Sequence, residues 1–127
     1  MRPGTSHDSY LEELILRLDE VGECRKNVEW IMVDGIYMQE RGNGQLKLAD
    51  LLIGCYDSTA AAIELKSVGS KNRTAKVEHA MEQLWSAERL LCGTFGYHPS
   101  MVRLKIAYYD RFNSDYTVES VNGRMAR

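Results

Sequence analysis

Two apolar runs joined by a short polar turn constrain this chain most. Residues 46–53 are apolar apart from Lys47 and Asp50, and residues 60–66 are apolar apart from Glu64 and Lys66. Between them, residues 54–59 carry Gly54, Asp57 and Ser58, which read as a turn. A strand that is apolar on both sides belongs in the middle of a sheet with both faces covered. The rest of the chain must therefore supply layers above and below this hairpin.

It has the elements to do so. Leu11, Leu14, Ile15, Leu18 and Val21 follow helical spacing, with Asp8 or Ser9 placed to cap the helix and Gly22 to stop it. Residues 28–39 have strand character, interrupted at Asp34-Gly35, and residues 41–44 form a turn cluster. Residues 75–91 read as a long helix with Val77, Ala80, Met81, Leu84, Trp85 and Leu91 towards the core. In residues 102–108, Val102, Leu104, Ile106 and Tyr108 alternate with Arg103, Lys105 and Ala107, the pattern of a half-exposed strand. Residues 117–121 suit a short edge strand. The predicted order is α-β-β-β-α-β, with a last β. This is an α/β (mixed α+β) arrangement, a mixed central sheet flanked by helices. The whole of 1–127 makes one domain, with 1–7 a loose start and 112–127 an edge strand and tail.

Asp50 and Glu64 are the unusual residues in this frame. Side chains alternate along a strand, so Glu64 and Lys66 share one face, while Ile63 and Leu65 pack on the other. A hairpin centred on Asp57 sets Gly54 opposite Ala60 and Asp50 opposite Glu64. The two carboxylates would then face each other with Cβ atoms about 5 Å apart. Like charges so placed repel, and a one-residue slip would send Asp50 to the opposite face. Lys66 is one source of compensating charge, and a divalent cation is the other. Carboxylate oxygens favour Mg²⁺ or Mn²⁺ over zinc. On the following helix Lys76, His79 and Gln83 form one polar stripe that can border the carboxylates. Lys71 and Arg73 in the preceding segment can hold backbone phosphates.

These residues resemble the PD-(D/E)XK nuclease superfamily, in the part that includes Holliday junction resolvases and small phage or viral nucleases. The resemblance rests on Ala49-Asp50, on Glu64-Leu65-Lys66 after 13 intervening residues, and on Gln83 on the next helix. Ala49 stands where the family often has proline. The resemblance implies a restriction-endonuclease-like fold and metal-assisted hydrolysis of DNA phosphodiesters. It assigns the metal to Asp50, Glu64 and the Leu65 carbonyl. Lys66 would orient or deprotonate the attacking water and stabilise charge on the phosphate, and Gln83 would sit beside the site. Many members carry an acid on the first helix; of Asp8, Glu12, Glu13 and Asp19, Glu12 is favoured.

The partner is then DNA, with Lys71, Arg73, Lys76 and His79 as nucleic-acid contacts, and the pattern admits RNA as well. A symmetric junction needs two active sites and so implies a homodimer, with residues 102–108 or the first helix as its interface. The net charge of −2 decides neither for nor against nucleic acid. No run approaches the roughly 18–20 apolar residues of a membrane span, and Met1–Tyr10 has no leader-like apolar core. The three cysteines form no CxxC pair, which fits a reducing intracellular, cytoplasmic setting. Two other readings share these residues. One is a non-catalytic DNA- or protein-binding module on the same fold. The other is an unrelated scaffold, which would leave Asp50 and Glu64 on opposite faces.

Overall fold

The computed structural model describes residues 7–33, 48–67, 73–110, 113 and 115–122. Helix α1 spans His7–Leu16 and is followed by 3₁₀ turns at Leu18–Val21 and Arg25–Asn27. Strands β1 (Val28–Val33), β2 (Leu51–Cys55) and β3 (Ala60–Ser67) come next. Helix α2 covers Arg73–Gly93, then β4 (Val102–Asp110) and β5 (Asp115–Ser120) complete the order. Among the described residues no helix is long and apolar enough to cross a membrane.

The five strands form one mixed sheet in the order β1-β2-β3-β4-β5. β1, β2 and β3 are successive antiparallel neighbours, and β4 runs parallel to β3 after the α2 crossover. β5 returns antiparallel as an edge strand. Each face has its own core. Leu52, Ala62, Leu104 and Ile106 meet Ala80, Leu84 and Leu91 of α2. Leu51, Ile53, Ile63 and Leu65 meet Leu11, Leu14, Leu18 and Val21 on the other side. The helices thus cover both faces, as the two-sided apolar strands require. Burying a leucine as completely as Leu14 or Leu18 contributes roughly 1.5–3 kcal/mol.

The β2–β3 register follows from the turn. The Asp57 carboxylate accepts from the Thr59 N–H at 3.1 Å and from the Thr59 hydroxyl at 2.6 Å, and Ser58 takes a φ of 70°. This closes the hairpin with Gly54 opposite Ala60 and Leu51 opposite Ile63, the register centred on Asp57.

Several boundaries differ from the sequence reading. The first helix ends at Leu16 and tightens to 3₁₀ geometry before Gly22, which stops the chain at φ 83°. β1 ends at Val33 within the described residues, and β2 begins at Leu51 rather than at 46, with 48–50 irregular. The turn cluster at 41–44 lies outside the described residues. The larger correction is β4. It is buried along nearly its whole length instead of half-exposed, because β3 and β5 flank it and both cores reach it. An interior strand offers no free edge, so residues 102–108 do not supply an edge-to-edge dimer contact.

Burial of β4 is possible because its two cations are paired. Glu23, only 1% exposed, accepts from Arg103 Nε at 2.9 Å and from an Arg103 terminal nitrogen at 2.6 Å. Lys105 Nζ lies 2.6 Å from the same carboxylate and donates to the Val21 carbonyl at 2.8 Å. This cluster ties the 3₁₀ segment after α1 to the middle of the sheet.

Candidate active site

Asp50 immediately precedes β2, and continuing the register from the Leu51–Ile63 pair sets it opposite Glu64. Two hydrogen bonds tie Asp50 to β3, one to Glu64 and one to Leu65. The Asp50 backbone N–H donates to Glu64 Oε1 at 3.1 Å. The Leu65 N–H donates to Asp50 Oδ2 at 2.8 Å. The Asp50 side chain therefore continues the β2–β3 ladder by one rung where regular pairing has ended. A carboxylate fixed by a backbone N–H is held in one orientation.

Lys66 Nζ lies 3.4 Å from Glu64 Oε2. Glu64 and Lys66 share the face on which Ala60 and Ala62 meet α2, whereas Leu65 packs its side chain on the α1 face. Asp50, Glu64 and Lys66 thus come together on one face, and the arrangement with the two carboxylates on opposite faces is excluded.

Glu64 is 3% exposed. Burial pushes its carboxyl up, the facing Asp50 charge adds to the effect, and Lys66 opposes it, leaving the group at about 8. One lysine does not offset the combined cost of burial and like charge. No protein-family model, curated protein or solved structure matches this chain. What the pair can do is therefore argued from its own geometry. Among the described residues no group of three or more His, Cys, Asp or Glu is placed to hold a metal. A cation here would rest on two carboxylates, a backbone carbonyl such as that of Leu65, and water. Mg²⁺ commonly binds through one or two carboxylates while keeping several waters, so the donor set fits that ion.

The remaining candidates divide. Gln83 of α2 comes over the same face, but its bond is to backbone: Nε2 donates to the Leu48 carbonyl at 3.3 Å. His79 is exposed on α2, with Nδ1 3.9 Å from Glu82. Arg73 and Lys76 belong to the first turn of α2, their side chains outside the described part of the structure, and Lys71 lies outside the described residues. Glu12 is exposed on α1, whose apolar side covers the opposite face of the sheet. Among the described residues no bond links it to Asp50, Glu64 or Lys66. Glu13 instead pairs with Arg17 at 3.1 Å, and Asp19 accepts from the Arg25 N–H at 3.1 Å. The Asp8 side chain is outside the described part.

Sequence reasoning missed two features, one beside this site and one on the opposite face of the sheet. Tyr108 is the β4 partner of Lys66 in the parallel pair, and its hydroxyl donates to Glu119 Oε1 at 3.2 Å. The other is the buried Glu23 cluster. Its signal was present, since Arg103 and Lys105 share one face of an otherwise apolar strand and need a counter-charge.

Proposed function

We propose that this protein is a Mg²⁺- or Mn²⁺-dependent nuclease of the PD-(D/E)XK type that hydrolyses DNA phosphodiester bonds. The single observation that carries the reading is the joining of Asp50 and Glu64, both carboxylates, beside Lys66 on one covered face. The observed order of helices and strands, with β4 parallel to β3, is the order expected of a restriction-endonuclease-like fold and supports the same reading.

Asp50 and Glu64 hold the cation, and the Leu65 N–H keeps the Asp50 carboxylate aimed. When bound, the cation supplies Lewis acidity towards the phosphate and acidifies an attacking water. Lys66 stands 3.4 Å from Glu64 Oε2 in the resting arrangement and offers its ammonium to charge developing on the phosphate. Lys71, Arg73, Lys76 and His79 are the proposed backbone contacts, on the segment leading into α2 and on its first turns. The chain acts as a homodimer if its substrate is a symmetric junction.

The test is a cleavage panel of labelled duplex, single-stranded and four-way-junction DNA together with RNA, in Mg²⁺, in Mn²⁺ and in EDTA. The proposal expects metal-dependent cleavage of at least one DNA that is lost in Lys66→Met. Binding of DNA without cleavage by a folded chain under all metal conditions would favour the non-catalytic module.

A further inference from the structure

A buried, irregular segment leads into the site. Leu48 and Ala49 are fully buried yet belong to no helix or strand. A buried carbonyl without a partner is costly. That of Leu48 accepts from Gln83 Nε2 at 3.3 Å, across 35 positions of sequence. Two residues later Asp50 is bonded to Glu64 and Leu65 of β3. Gln83 therefore reaches the backbone that carries Asp50, and its one described bond is to that backbone.

We infer that Gln83 is a positioning residue, whose amide holds the Leu48 carbonyl and thereby sets the Asp50 carboxylate against the Leu65 N–H, and that it does not itself touch the substrate. The inference rests on the nuclease reading for its catalytic consequence. Its structural consequence stands apart from that reading. The Leu65 N–H donates to the Asp50 side chain, so its exchange with solvent reports whether Asp50 is in place. Sheet amides such as those of Ala62 and Ile106, buried in the middle of the sheet, report general stability.

The experiment is amide hydrogen exchange on the metal-free full chain, in wild type, in Gln83→Met, which fills similar space without a donor, and in Glu82→Met as an exposed neighbour on the same helix. Loss of one hydrogen bond predicts Leu65 exchange about fivefold faster or more in Gln83→Met. Ala62 and Ile106 should be unchanged, as should every amide in Glu82→Met. Unchanged Leu65 exchange would overturn the inference, and so would a uniform rise across the sheet, which would mean plain destabilisation. In the cleavage assay Gln83→Met should lower kcat, raise the Mg²⁺ concentration required and leave KM for DNA alone. A raised KM with normal Leu65 exchange would instead put Gln83 against the substrate. If the wild-type chain cuts no nucleic acid, the exchange result still decides the positioning role, and it is the nuclease reading that falls.

Discussion

Replacing Glu64 with glutamine should make the cation-free chain more stable at alkaline pH. Burial first, and the Asp50 charge second, raise the Glu64 carboxyl to about 8 from a usual value of 4.5. Between those values the folded chain holds a proton that the unfolded chain has released. The stability contributed by this proton is complete below the unfolded value and is lost as pH rises through the folded one. The slope is at most about 1.4 kcal/mol per pH unit. From roughly pH 5 to pH 8 this amounts to several kcal/mol, set against a total of ~5–15 kcal/mol for a typical domain. Glutamine keeps an oxygen to accept from the Asp50 N–H, as Glu64 Oε1 does at 3.1 Å, and has no charge to suppress. Urea unfolding in EDTA at steps across that range should show wild-type stability falling and the Glu64→Gln curve nearly flat. Saturating Mg²⁺ should restore wild-type stability at the alkaline end and do little for the variant. Equal slopes in the two proteins would refute the reasoning, since they would mean that Glu64 titrates normally.

Four other outcomes follow. Glu23→Ala leaves the Lys105 ammonium buried without its carboxylate and should cost about 3–5 kcal/mol in denaturant unfolding. Burial alone would raise Glu23, but the bonds from Arg103 and Lys105 outweigh it and hold it low. Its stabilisation is present above the ordinary carboxyl value and lost as acid titrates it, so Glu23→Gln should flatten the acid limb of a stability–pH profile. Gly54→Ala would drive a Cβ into the Trp30 ring and the Tyr97 hydroxyl. That overpacking should cost about 1–3 kcal/mol, read as a lowered Tm. Glu12→Gln should leave single-turnover cleavage unchanged, because α1 covers the face away from Asp50. A large loss of rate would bring Glu12 into the site.

The parts of the fold that were legible in the sequence are those decided locally. Asp57 with Thr59 closes the β2–β3 turn, so the facing of Asp50 and Glu64 could be read by counting outward from it. The two-sided apolar runs announced covered central strands for the same reason. What escaped the reading depends on distant partners. Arg103 and Lys105 look like a solvent face until Glu23, about eighty positions away, supplies the counter-charge. Gln83 looks like a group beside the carboxylates until its bond to Leu48 is seen. Glu12 has suitable chemistry on a suitable helix, but the packing of Leu11 and Leu14 decides which face that helix covers. Helical spacing alone does not contain that choice.

The most direct test of the central claim is single-turnover cleavage of labelled DNA in Mg²⁺ by the wild-type chain beside Asp50→Asn. Asparagine keeps an oxygen for the Leu65 N–H and removes only the charge. The account predicts cleavage by the wild type that stops in EDTA and is slower by about 10² or more in the variant. An inert wild type, or a folded Asp50→Asn that cleaves as fast, would contradict it.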